Sequence, residues 1–320
     1  MSVRSAVMAL KPARSNWSLR RLTGGLRSPT RWVRRLLKLR FRRAGLAPYR
    51  LELGDGHLHV WSGGKGSETL VLLHGFGGSC LWQWADMVGA LAKRYRLLVP
   101  DLLWFGDSDG EAAQGSLKTQ AAAIRALLES VGEPVHVAGI SYGGFVGYMI
   151  ADEHPGLVHS LTLIDCPATV MGKDDYHRVL ERFAIPDMNE LLVPDQPSVL
   201  PDLLALAYHR PPRVPKFAWR DAHHHLFTEH RAKRVELLDD LIAYLETPYT
   251  EQERHHPVLI LWGEHDALFP VSLARRLKEH LGGRAQLEII PNTAHAPIVE
   301  APKTINSLLL RFLAGQTQSA

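Results

Sequence analysis

Beyond Tyr49 the chain alternates between short continuous apolar runs and longer stretches in which apolar residues recur every three or four positions. The runs Leu70 to His74, Tyr95 to Pro100, Val135 to Ile140, Leu161 to Ile164, Val258 to Trp262 and Ala285 to Ile290 predict strands. Their continuity, in place of strict alternation, is that of strands buried on both faces. Helical spacing marks Leu81 to Ala92, Ser116 to Val131, a helix ending near His154, Ser272 to Leu281 and Pro302 to Leu313. Ahead of this series, Leu51-Glu52-Leu53 and His57-Leu58-His59-Val60-Trp61 alternate around Gly54-Asp55-Gly56, a hairpin signal. Strands and helices in turn predict an α/β fold, with a mostly parallel central sheet and helices on both faces. Between Ala168 and His256 the rhythm gives way to short helix-like pieces rich in proline. This predicts a helical cap over 169–256, set between core segments 46–168 and 257–320. Such a cap would cover the carboxyl ends of the strands, where open α/β sheets place their ligands.

The leading 1–45 segment has a different grammar. Residues 1–43 contain 13 Lys and Arg and no Asp or Glu, which leaves 24 basic against 33 acidic residues in the rest. The net charge of +4 therefore conceals a body of −9, which argues against nucleic-acid binding by the globular part. No hydrophobic block of a secretory signal appears before Arg27, although an Arg- and Ser-rich, acid-free start also fits a transit peptide. Ser28-Pro29 then reads as a helix start and Gly45 as its end. On a helical wheel Trp32, Val33, Leu36, Leu37, Leu39 and Phe41 share a broad arc. Arg31, Arg34, Arg35, Lys38 and Arg42 gather opposite. Residues 28–43 could thus make peripheral contact with an anionic membrane, or bury the apolar arc against the protein's own body. Two cysteines, Cys80 and Cys166, suggest no disulfide framework and a reducing, cytoplasmic setting. No run approaches the ~18 apolar residues of a spanning helix.

The chemistry centres on Gly139-Ile140-Ser141-Tyr142-Gly143-Gly144, directly after a predicted strand. Glycines flanking a serine at a strand-to-helix turn form a nucleophile elbow, and their missing side chains allow the tight turn. A serine hydroxyl needs a base to take its proton, and the base needs a third group to hold it. Asp266 follows the strand ending at Trp262, and His295 follows the strand ending at Ile290. All three would meet at one sheet edge. Leu73-His74-Gly75-Phe76-Gly77-Gly78 ends an earlier strand with glycines, so the amides of Phe76 and Tyr142 are candidate oxyanion donors. Trp82, Trp84, Trp104 and Phe105 could line a substrate pocket or pack the core. The His223-His224-His225 run is a poor metal site, because consecutive helical residues point about 100° apart.

From about Gly45 to Leu313 these motifs resemble the α/β-hydrolase fold superfamily, and among its members the capped serine hydrolases that include esterases and monoacylglycerol lipases. The resemblance is carried by His74-Gly75-Phe76-Gly77, Trp82-Gln83-Trp84, Pro100-Asp101-Leu102, Phe105-Gly106-Asp107-Ser108, the elbow, Trp262-Gly263, Asp266 and His295. It implies a catalytic triad of Ser141, Asp266 and His295, a small-molecule ester substrate, and no metal or organic cofactor. Epoxide hydrolases and haloalkane dehalogenases carry Asp at the elbow, and Ser141 argues against both. Carbon–carbon bond hydrolases resemble this pattern too, but usually place an aromatic residue after the histidine, where Ala296 stands here. Acyl transfer on the same triad, or a non-catalytic binding protein on this scaffold, are the remaining alternatives.

Overall fold

The structure is a computed structural model that describes residues 28–54, 56–110, 114–246 and 256–317. The expectations placed on residues 1–27, on Asp55 of the hairpin turn and on His255 lie outside the described residues. The strands are β1 (Leu46–Leu53), β2 (Gly56–Gly63), β3 (Thr69–Leu73), β4 (Arg96–Pro100) and β5 (Asp109–Gly110), followed by β6 (Val135–Ile140), β7 (Val158–Ile164), β8 (Val258–Gly263) and β9 (Ala285–Ile290). They form one sheet in the order β1-β2-β4-β3-β6-β7-β8-β9, with β5 paired to β2. The hairpin β1–β2 is antiparallel and opposes Leu53 to Gly56. From β4 to β9 every pair is parallel.

Alternate residues of the central strands enter separate apolar layers. Val71, Leu73, Val137, Leu161 and Leu163 face one core. Leu70, Leu72, Ala138, Ile140 and Ile164 face the other. The sheet is therefore covered on both sides, as the continuous apolar runs require. Strand order reverses at β3, which has β4 on one side and β6 on the other. At such a switch point the loops leaving the two strands diverge and open a crevice at their carboxyl ends. The two loops are those carrying Gly75 and Ser141.

The helices of the core are α1 (Pro29–Arg43), α2 (Cys80–Trp84), α3 (Val88–Leu91), α4 (Leu117–Glu129) and α5 (Tyr142–Glu153). The single helix expected over Leu81 to Ala92 is divided. The Met87 amide turns back to the Trp84 carbonyl at 2.9 Å, and this tighter turn lets both Met87 and Val88 be buried. Between β7 and β8 lie α6 (Lys173–Phe183), α7 (Asn189–Leu192), α8 (Leu200–Ala207), α9 (Lys216–Leu226) and α10 (Arg231–Glu246). After β8 come α11 (Val271–Leu281), α12 (Pro297–Glu300) and α13 (Pro302–Thr317).

The inserted helices are pinned to the core by polar contacts. The Leu117 amide donates to Asp240 at 2.7 Å and the Gly115 amide to Glu236 at 2.8 Å. Arg234, almost fully buried, donates to the Trp104 carbonyl at 3.0 Å and lies over the Phe105 ring. Helix α1 joins the same assembly. Its Thr30 amide donates to Asp221 of α9 at 2.7 Å, and Arg34 pairs with Asp107 at 2.5 Å. Phe41 is fully buried against Trp61.

Asp107 belongs to the loop after β4, which Asp101 organises. Asp101 is buried and accepts from the amides of Cys80 at 2.9 Å and Asp107 at 3.0 Å. His59 lies 3.3 Å away. Burial alone would push this carboxyl up, but the hydrogen bonds and nearby imidazoles outweigh it and hold the carboxyl down at about 2. A folded value below the unfolded one means the anion stabilises the fold above the ordinary carboxylate range, and that contribution is lost as pH falls through the folded value. The unfolding free energy from denaturant titration is therefore expected to fall by about 2 kcal/mol between about pH 4 and about pH 2 on account of this group. Asp101→Asn, though less stable at neutral pH, should show a flatter profile in that window.

Candidate active site

Ser141 leaves β6 with φ 50° and ψ −120°, a backbone region sparsely open to residues with side chains. The turn is held from both sides. The Ser141 amide donates to the Ile164 carbonyl at 2.9 Å, and the Gly144 amide returns to the Ser141 carbonyl at 2.8 Å. A Cβ at Gly143 would stand 2.5 Å from the His74 carbonyl oxygen, and one at Gly139 would collide with the Gly143 carbonyl. Only glycine lets the elbow pass this close to the end of β3.

Asp266 and His295 come to the same edge from the loops after β8 and β9. Asp266 is buried and uses both carboxylate oxygens. Its Oδ1 accepts from the amides of Leu268 at 2.9 Å and Phe269 at 2.8 Å. Its Oδ2 lies 2.7 Å from His295 Nδ1, and His295 Nε2 lies 3.0 Å from Ser141 Oγ. A carboxylate can only accept, which assigns the ring proton to Nδ1 and leaves the Nε2 lone pair to receive the serine hydroxyl. The neighbours that compete with Asp266 in sequence are occupied elsewhere. Glu264 accepts from the Asn292 amide at 3.1 Å, and His265 stacks on His209 at 4.3 Å between ring centres.

Opposite this chain of contacts, the loop after β3 runs against Ser141. A Cβ at Gly75 would lie 3.1 Å from Ser141 Cβ. Phe76 follows, its ring edge-on to Tyr142 at 5.4 Å and to Phe105 at 5.1 Å. Tyr142 opens α5, so its amide belongs to the first helical turn, which has no intrahelical acceptor. His74 is sealed in the interior, where Nδ1 donates to the Gly75 carbonyl and Nε2 accepts from the Leu102 amide, each at 2.9 Å. Burial lowers its basicity, opposed by Asp101, so it braces the loop as a neutral ring.

Of the aromatic candidates for a substrate pocket, Trp104 and Phe105 are fully buried in the core. The Trp104 indole donates to the Gly110 carbonyl at 2.8 Å, and its own carbonyl receives Arg234. Trp82 is half-buried on α2. The three consecutive histidines of α9 take different partners, although the rings of His224 and His225 stand 4.9 Å apart. His223 contacts the Pro194 carbonyl at 3.1 Å, His225 lies 3.5 Å from Asp221, and His224 is exposed. Two other groups of possible metal ligands occur among the described residues. In the first, His59, Asp101 and Asp107, the Asp107 carboxylate already pairs with the side-chain cations of Arg34 and Lys38. The second joins Asp266 and His295 to a residue that sequence reasoning passed over, Asp165. Its signal was positional, since it directly follows a parallel strand at the edge shared by the other three.

The chain belongs to the α/β hydrolase fold family, whose model matches residues 68–302. It is 27% identical to lipase 1 of Psychrobacter immobilis over 78% of this chain and 78% of that protein. It is 28% identical to a monoacylglycerol lipase of Xenopus laevis over 77% of this chain and 75% of that one. A solved bacterial membrane phospholipase A superimposes with a TM-score of 0.78 at 27% identity, covering 90% of this chain and 92% of its own. The protein is a hydrolase of this fold family, and these relatives and this neighbour are lipases.

The elbow makes a stability prediction of its own. Gly143→Ala is expected to cost about 3 kcal/mol by overpacking against backbone that cannot yield, read as a lowered thermal or denaturant midpoint. Gly156→Ala, whose Cβ meets nothing within 4 Å, is the control.

Proposed function

We propose that Ser141 is the nucleophile of a carboxylic ester hydrolase, with His295 as base and Asp266 as the group that orients it. The observation that carries this reading is the unbroken sequence of contacts Asp266–His295–Ser141, at 2.7 and 3.0 Å. Ser141 Oγ attacks the ester carbonyl carbon while His295 Nε2 takes the hydroxyl proton, and the amides of Phe76 and Tyr142 receive the oxyanion. Collapse breaks the bond to the alkoxy oxygen, which leaves as an alcohol with the proton from His295. Water, deprotonated by the same nitrogen, then attacks the acyl-serine and releases the acid and a free Ser141. Asp266 orients the His295 ring and stabilises the imidazolium. Helices α6 to α10 form a cap; of the aromatic pocket candidates the half-buried Trp82 is the one open to an acyl chain, while the fully buried Trp104 and Phe105 back the site from the core. An acyl glycerol or a similar ester of a moderately long fatty acid suits such a site, in keeping with the lipases it resembles.

Helix α1 supports work at a lipid surface. It does not divide into an apolar inner face and a basic outer one. Phe41, Arg34 and Lys38 face the body, while Leu36 (40% exposed) and Leu39 (39%) point outward among Arg31, Arg35, Arg42 and Arg43. An exposed apolar ridge flanked by cations matches an anionic bilayer surface. Among the described residues no helix is long and apolar enough to cross a membrane.

A panel of p-nitrophenyl esters of increasing acyl length tests the chemistry. Ser141→Ala is expected to lose at least about 10³-fold in kcat/KM and all labelling by a fluorophosphonate probe. Retained turnover or labelling would remove Ser141 from the reaction. The wild-type rate should also fall toward acid, since a doubly protonated imidazole cannot serve as base. For the surface, co-sedimentation with phosphatidylglycerol vesicles should weaken about tenfold when Leu36 and Leu39 are both replaced by Glu. Binding that ignores this change, or is equal on neutral vesicles, would count against membrane contact through 28–43.

A further inference from the structure

The mechanism leaves one buried carboxyl at the site unused. Asp165 follows β7 with a left-handed backbone (φ 44°) and is fully buried. Its amide donates to the Leu261 carbonyl at 3.0 Å, and its Oδ1 accepts from the Gly263 amide at 2.7 Å. Its Oδ2, equally buried, has no hydrogen-bond partner as a carboxylate oxygen. Yet ligand atoms of Asp165, Asp266 and His295 all lie within 4.8 Å of one another, and the two carboxyls are in hydrogen-bonding reach. Glu300 on α12 adds a further negative charge facing the pair. Two carboxylates this close in a dry interior cannot both keep their charge.

The donors decide which one loses it. Asp266 receives two backbone amides and the His295 ring proton. Asp165 receives one amide. Burial, then the charge of Asp266, drives the Asp165 carboxyl well above the usual carboxylate range. A single proton satisfies both the orphaned oxygen and the repulsion.

Building on the assignment of Asp266 and His295 above, we propose that Asp165 is a neutral carboxylic acid whose O–H donates to Asp266. Asp165 is thus a positioning residue, which fixes the Asp266 carboxylate and tempers its pull on His295. The bond disperses part of the Asp266 charge, so its loss would leave Asp266 a stronger partner for the imidazolium.

Infrared difference spectroscopy and pH–rate profiles test this together. Wild-type protein at neutral pH should show the carbonyl stretch of a buried carboxylic acid, shifted by deuterium and absent from both Asp165→Asn and Asp165→Ala. In Asp165→Asn, whose amide can still donate, kcat/KM should fall about threefold and the acid limb should stay in place. In Asp165→Ala it should fall about tenfold, with the acid limb moved to higher pH. Absence of the band in wild type overturns the proposal without recourse to any variant. An acid limb that moves to lower pH in both variants also overturns it, because that is the signature of removing a negative charge beside His295. A limb unmoved in Asp165→Ala ends the positioning role. The infrared measurement needs no turnover, so its outcome is independent of whether the site hydrolyses esters.

Discussion

The close passage of backbone past backbone at the end of β6 is the constraint on which the molecule depends. Gly143 packs against the carbonyl of His74, and Gly139 against the carbonyl of Gly143, with no room for a side chain at either place. That contact forces Ser141 into its unusual dihedrals and lifts its hydroxyl off the sheet edge. It also draws the loop after β3 to within touching distance of the serine. Ser141 and the candidate oxyanion amides of Phe76 and Tyr142 are thus placed by one packing event, at the point where strand order reverses.

The buried acids around this edge illustrate how environment, not residue type, sets behaviour. Asp101 and Asp165 are both shut off from water, and each follows a sheet strand. Asp101 accepts two backbone amides and faces imidazoles, so it is held as an anion. Asp165 has one amide and a carboxylate for a neighbour, and is driven the opposite way. The first stiffens the loop that receives α1, whereas the second lies against Asp266 and His295. Asp266, beside Asp165, accepts from two amides and the His295 ring.

Much of this was legible in the chain. Continuous apolar runs specify strands covered on both faces, and residues at the ends of such strands must gather at one edge. That is why Ser141, Asp266 and His295 could be grouped across more than a hundred residues of intervening sequence. Local patterning carried less elsewhere. The apolar spacing of Leu81 to Ala92 is equally good for one helix or for two short ones, and burial of Met87 and Val88 chose the second. The wheel of α1 sorted residues by type, while docking sorted them by partner: Asp107 captured Arg34 and Lys38 onto the inner face. Asp165 occupied the right edge, but nothing in its neighbours' identities revealed that it would meet another carboxyl there.

Helix α1 also acts as a cross-brace. Its first turn is bonded to Asp221 in the inserted helices, its middle to Asp107 in the loop after β4, and its last turn is sunk beside Trp61 in the sheet. Three parts of the molecule that are far apart in sequence are thereby fastened to one rigid rod. Any hinge-like lifting of α9 away from the crevice has to part the Asp221 contact or carry the rod with it. A load applied to α1 would therefore arrive at α9, at the loop after β4 and at the sheet together, and the three would move as a linked set.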